Sequence, residues 1–228
     1  MKLKTLGIAS LFACLMVPAL QSCLDDDDKK YSQLTIGTIE VIEGKDYYFS
    51  LDAGGKMYPG DTTQINNYPL KSGQRTFVYF DLLDEKVPGY DYNAIIYRIE
   101  NILTKDIVRV PSEESEKNVG NDRINITNLW ITGDYLNIQY QFFYDDASDK
   151  KHLLNVIFNE QPDMINEGEY LALEFRHNAF SEKENKLGSG LASFKLKKVK
   201  KLLEGKKGIS IRYNSLYEGM LTKSVDLK

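Results

Sequence analysis

Histidine is the side chain best suited to move a proton near neutral pH, and this chain has two, His152 and His177. Neither has a cysteine or another histidine at metal-ligand spacing, and there is no H-E-x-x-H motif or Gly-rich phosphate loop. His177 shares parity with Leu171, Leu173 and Phe175, which predicts a packed histidine on an apolar strand face. His152 follows Lys150-Lys151 at the shoulder of a hairpin and is expected to be exposed. Asp145, Asp146 and Asp149 form an acidic turn. A calcium loop starting at Asp145 needs Gly at its sixth position and Glu at its twelfth, where the chain has Lys150 and Val156. Asp81, Asp84 and Glu85 invite a carboxylate-pair reading for sugar hydrolysis, but spacing alone does not set them apart from the other acids. No serine sits in a G-x-S-x-G elbow. Gly188-Ser189-Gly190 reads as a loop between the halves of a sandwich, not as a phosphate cradle. The chain is therefore read as non-enzymatic, with no catalytic residue, no metal and no cofactor.

The chemistry that remains is acylation of a thiol. Lys2 and Lys4 precede the apolar run Leu6 to Val17, and Pro18 ends it. That pattern is a secretory signal. A membrane-spanning helix needs about 20 apolar residues, and this run is shorter. The next residues, Leu20-Gln21-Ser22-Cys23, resemble a bacterial lipobox, whose cysteine takes lipid, palmitate included, and becomes the new N-terminus. Cys14 is lost with the signal, so the mature chain keeps no free thiol and has no disulfide framework. Asp25, Asp26, Asp27 and Asp28 follow. One reading is a solvated, self-repelling tether. The other is a surface-sorting signal, from which Leu24 is a departure. These residues predict an outer-membrane, lipid-anchored protein facing the cell exterior.

Any such anchor must carry a folded body, and the body reads as strands. Leu136, Ile138, Tyr140, Phe142 and Tyr144 alternate with Asn137, Gln139, Gln141 and Phe143. Tyr170 to His177 and Ile209 to Tyr213 repeat the period of two. Further candidates are Leu34 to Ile42, Tyr47 to Leu51, Thr76 to Leu83 and Ile107 to Val110, separated by Gly, Pro and Asp turns. Short strands with 15 Tyr and 10 Phe suggest barrels or sandwiches. Tyr92 to Ile99 reads as a strand, with a short helical turn over Asn101 to Lys105. The polar run Pro111 to Asp122 is the best domain boundary. Removing residues 1–22 leaves 27 basic against 33 acidic residues, a net charge near −6, which argues against a nucleic-acid partner.

Several segments resemble the NigD-like lipoproteins: Gly120 to Ile124 with Leu129-Trp130-Ile131-Thr132-Gly133-Asp134-Tyr135-Leu136-Asn137, Leu173 to Asn178, Arg212 to Gly219, and the leader Cys23 to Asp28. The resemblance covers nearly the whole chain and is strongest after Asp122. It implies an all-β protein, a small OB-like barrel followed by an Ig-like β-sandwich. The expected layout is a signal peptide at 1–22, a lipidated acidic tether at 23–31, the barrel at 32–111, a linker at 112–122 and the sandwich at 123–228. It also implies bacteriocin immunity, and it supplies no catalytic residues. The expected partners are the membrane, through the lipid, and a bacteriocin, another protein or a surface glycan. The alternative is a glycan- or peptide-binding accessory lipoprotein.

Two further features stay open. Lys195, Lys197, Lys198, Lys200 and Lys201, continued by Lys206 and Lys207, read either as a solubilising strand edge or as a patch for an anionic partner. Thr62, in Asp61-Thr62-Thr63, reads either as a plain turn residue or as an O-glycosylation acceptor.

Overall fold

The structure is a computed structural model, and it describes residues 31–44, 46–65, 67–110, 119–159 and 168–227. The lipobox and the aspartate run, Cys23 and Asp25 to Asp28, lie outside the described residues, as does most of the expected linker. No helix among the described residues is long and apolar enough to cross a membrane.

The first half folds as a closed barrel. Its strands are β1 (Gln33–Glu43), β2 (Asp46–Leu51), β3 (Lys56–Asp61), β4 (Gln74–Leu82) and β5 (Tyr92–Asn101), in the order β1-β2-β3-β5-β4. All pairs are antiparallel except β3 with β5. The period of two places Tyr47, Phe49 and Met57 inside with Ile39, Val78, Phe80, Ala94 and Ile96. Ile65, Tyr68 and Leu70 from the β3–β4 connection pack against this core. Burying an aliphatic or aromatic side chain contributes about 1.5–3 kcal/mol, so these residues hold the barrel closed.

The second half is a sandwich of two sheets. One has the order β14-β13-β11-β10-β7 and the other β6-β12-β9-β8. These strands are β6 (Leu103–Asp106), β7 (Val108–Val110), β8 (Asn125–Thr132), β9 (Tyr135–Tyr144), β10 (Leu153–Asn159), β11 (Tyr170–Asn178), β12 (Lys186–Lys195), β13 (Gly208–Ser215) and β14 (Gly219–Asp226). The expected alternation in β9 and β11 puts Leu136, Ile138, Leu171, Leu173 and Phe175 into the shared core.

Three expectations are corrected. Residues 103–106 form β6, not a helical turn: Leu103 to Asp106 pair in parallel with Ala192 to Lys195, and this non-local pairing overrides the local spacing. The barrel therefore ends with β5, and the change of sheet falls upstream of the expected linker at 112–122. Ile107, fully buried, is the pivot from which β7 crosses to the opposite sheet and pairs with β10. Gly188-Ser189-Gly190 lies inside β12, paired with Phe142, Gln141 and Tyr140. A Cβ on Gly190 would stand 2.5 Å from the Tyr140 hydroxyl, and one on Gly188 2.9 Å from the Tyr144 ring. The glycines make room for cross-strand tyrosines.

Candidate functional site

Three places gather polar chemistry. The first is the junction of the two domains. Arg75 of β4 is 1% exposed. Its two Nη groups donate to the two Asp52 carboxylate oxygens, each at 2.5 Å. Nη1 also donates to Thr38 Oγ1 at 3.1 Å, Nη2 to Asn137 Oδ1 at 3.2 Å, and Nε to Ser193 Oγ at 3.5 Å. All five guanidinium N–H groups are thus used, three within the barrel and two on β9 and β12 of the sandwich. Trp130 Nε1 reaches Asp52 at 3.5 Å, and Tyr135 donates to the Gly73 carbonyl at 2.9 Å. The cluster joins the two domains.

The second place is on the outer face of the barrel. Tyr48 of β2 and Tyr58 of β3 point away from the core, since their neighbours Tyr47, Phe49 and Met57 fill it. Tyr90, from the loop before β5, lies 5.9 Å from the Tyr48 ring and 5.1 Å from the Tyr58 ring. Lys56 Nζ sits 5.2 Å over Tyr48. Asp91 fixes the loop by accepting from the Lys56 amide at 2.7 Å. The result is a half-exposed platform of three phenol rings and one cation.

The third is the end of the sandwich away from the barrel, where both histidines meet. His177, at the end of β11, is 2% exposed, as expected for a packed histidine. Its Nδ1 lies 3.0 Å from the Arg123 carbonyl and its Nε2 2.8 Å from His152 Nδ1. His152 Nε2 bonds the Glu182 carboxylate. The His152 side chain is 5% exposed, which corrects the expected surface position: Glu182 and the edge of Phe142 cover it. Burial pushes the His177 pKa down, opposed by its bond to the Arg123 carbonyl. Hydrogen bonds from Ser148 and His152 hold Glu182 at about 2. Glu182 closes a loop in which Phe180 and Ser181 have φ of 52° and 60°, a conformation that L residues seldom adopt. Asp122 accepts from the Ala179 amide at 2.7 Å, and Lys150 Nζ donates to the Phe180 carbonyl at 2.8 Å.

The other candidates are accounted for one by one. Asp81 accepts from Ser32 and from Tyr97 Oη, and the Ser32 bonds hold its pKa down. It secures the start of β1 instead of working with Asp84 and Glu85. Asp145 and Asp146 accept from Asn185 Nδ2, so the acidic turn is fastened to the β11–β12 loop. Among the described residues, no group of three or more His, Cys, Asp or Glu is placed to hold a metal. Thr62 follows β3 in a turn: Asp61 Oδ1 accepts from the Thr63 amide at 2.9 Å, and the Thr62 carbonyl from the Ile65 amide at 3.1 Å.

The lysines are not on an exposed strand edge. Lys195 ends β12, while Lys197, Lys198, Lys200 and Lys201 stand on two 3₁₀ turns, Leu196–Lys198 and Lys200–Leu203. Leu196, Val199 and Leu203, buried at spacings of three and four, hold these turns against the core and leave the lysines outside. Lys198 pairs with Asp106 at 3.4 Å and Lys200 with Asp134 at 3.1 Å, which reduces the positive field. Sequence reading missed Arg75, Asp52 and Glu182. Only Leu196, Val199 and Leu203 carried a local signal, their helical spacing.

Comparison with known proteins fits this architecture. A family model described as the NigD-like N-terminal OB domain matches residues 36–102, and one described as the NigD-like C-terminal beta sandwich domain matches residues 106–228. The two matches meet where the chain changes sheet. A protein of unknown function from Bacteroides vulgatus is 26% identical, with a TM-score of 0.71 over 86% of this chain and 90% of that one. A NigD-like immunity protein from Bacteroides caccae is 15% identical, with a TM-score of 0.64 over 86% and 94%. A protein described as a lipoprotein from Bacteroides fragilis is 10% identical, with a TM-score of 0.64 over 86% and 98%. The last two likenesses are of fold alone. No curated protein matches.

Proposed function

The chain belongs to the NigD-like family, and from that premise we propose that it is a non-enzymatic binding lipoprotein with a bacteriocin-immunity role. It is held by lipid at Cys23 on the outer face of the outer membrane. The observation that carries the reading is the match of both NigD-like domain models, in order, across the folded body. The name of the Bacteroides caccae relative supports the immunity role, and that of the Bacteroides fragilis relative supports the anchor. The non-enzymatic reading draws on the family and on the two histidines, whose ring nitrogens are committed to each other, to Glu182 and to Arg123. The test is deletion of the gene, followed by exposure of the strain to bacteriocins of related bacteria. Increased killing that the wild-type gene reverses is expected. Unchanged sensitivity overturns the immunity role.

The tyrosine platform favours a second reading, a glycan- or peptide-binding accessory lipoprotein. Tyr48, Tyr58 and Tyr90 offer apolar faces with polar rims, the form in which aromatic rings stack on sugars. Binding on a glycan array that is lost in Tyr90→Ala supports a glycan ligand, and an array without hits removes the glycan form of this reading.

A further inference from the structure

The histidine cluster at the sandwich tip has a proton count that its geometry fixes. The Arg123 carbonyl only accepts, so His177 Nδ1 carries a hydrogen. A second hydrogen must lie between His177 Nε2 and His152 Nδ1, 2.8 Å apart. A third must lie between His152 Nε2 and Glu182. Two neutral imidazoles supply two hydrogens, so the intact relay needs one more.

We propose that His152, His177 and Glu182 form a pH-tuned latch that holds the Asn178–Glu182 loop closed only while the three groups share that one extra proton. Without it, a bare ring nitrogen faces either the carboxylate or the other ring's lone pair. With a further proton on the rings, two N–H groups confront each other across the 2.8 Å contact. Either change breaks a link. The loop has a reason to move when freed, because Phe180 and Ser181 are held at positive φ and Phe180 is already 46% exposed. Other charged groups face the relay from each neighbouring segment. Asp122 and Arg123 lie before β8, Glu184 is beside Arg123, Lys150 is on the Phe180 carbonyl, and Asp145 donates its amide to Glu182. They set the local potential, while the hydrogens of the relay are confined to its three members. The proposal does not depend on what the protein binds.

The pH dependence has two limbs of opposite sign. The pKa values of His177 and Glu182 both lie below their ordinary values, the first through burial and the second through its hydrogen bonds. Their stabilisation is present above the unfolded values and is lost as pH falls through the folded ones. That is the acid limb. On the alkaline side the unfolded chain holds less than one proton across two histidines while the latch holds one, so stability falls as pH rises. The maximum lies where the unfolded pair binds one proton, near pH about 6.5.

The test is amide hydrogen exchange of the full mature chain at Ala179, Phe180 and Glu182 as a function of pH, corrected for the intrinsic rate. Protection is expected to peak near pH about 6.5 and to fall on both limbs, approaching about tenfold per pH unit where the proton counts differ by one. In Glu182→Gln the amide N–H donates to a bare His152 Nε2, so two neutral rings complete the relay. The alkaline limb should vanish and the acid limb remain. A single-sided profile in the wild type, or an unchanged alkaline limb in Glu182→Gln, overturns the latch. If that variant does not fold, ring nitrogen and carboxyl shifts in the wild type at pH about 6.5 decide the matter. Three hydrogens across the two rings and the Glu182 carboxyl support the proposal, and any other count overturns it.

Discussion

Arg75 makes a commitment that no pattern in its neighbourhood announces. It lies in a strand as one cation among many, and only the folded chain brings Asp52, Thr38, Asn137 and Ser193 to its five donors. A buried ion pair is weak evidence of net stabilisation, because desolving both charges offsets their attraction. Removing one partner has a clearer consequence, since Asp52 is then left in a site that is 16% exposed with no counter-charge. Arg75→Ala is therefore expected to destabilise the chain by about 3–5 kcal/mol, read as a lowered midpoint in urea unfolding. The double variant Arg75→Met with Asp52→Leu should recover much of that loss, because it leaves no orphaned charge. If the single and double variants unfold at the same midpoint, the network does not act as a unit.

At the scale of elements, β12 shows what sequence reading could and could not reach. The alternation of β9 and β11 was legible because each strand sends alternate side chains into one core, a purely local pattern. In β12 the glycines hid the strand. They are there because Tyr140 and Tyr144 of the neighbouring β9 fill the space their side chains would occupy, and that partnership has no local signature. The same reason hid β6, whose pairing partner is nearly ninety residues away. It also hid Glu182, whose role depends on a histidine thirty residues earlier. Gly190→Ala is expected to cost about 1–3 kcal/mol through overpacking against the Tyr140 ring. Tyr140→Leu in the same chain should relieve part of that strain, because it removes the ring atoms within 3.2 Å of the added carbon. Thermal midpoints of the two single variants and the double variant test this. Strictly additive losses would mean that the glycine is needed for some other reason.

At the scale of the whole molecule, the chain runs from the proposed anchor toward the latch. Gln33 pairs with Phe80 at one end of β1, while Thr38 and Ile39, farther along the strand, adjoin the junction with the sandwich. The tether therefore joins the barrel at the end away from the sandwich. In β9, Tyr135 and Asn137 touch the barrel side, and Tyr144 lies at the tip beside the histidine cluster. Nine residues of strand at about 3.3 Å each put that tip roughly 30 Å beyond the junction. A chain from Cys23 to Ser32 spans at most about 30 Å, so the proposed lipid at Cys23 would hold the barrel within that distance of the membrane. One acyl chain holds a protein only marginally, and durable attachment needs more than one. Cys23→Ala should thus abolish palmitate labelling and move the protein from the membrane to the soluble fraction. Its thermal midpoint should not change, because every described strand begins at or after Gln33. Replacing Asp25 to Asp28 with Asn separates anchoring from direction. Labelling should persist, while cleavage by protease added to intact cells should fall if the acids direct the protein outward. If cleavage stays at the wild-type level, the four acids are a solvated tether and orientation is set elsewhere.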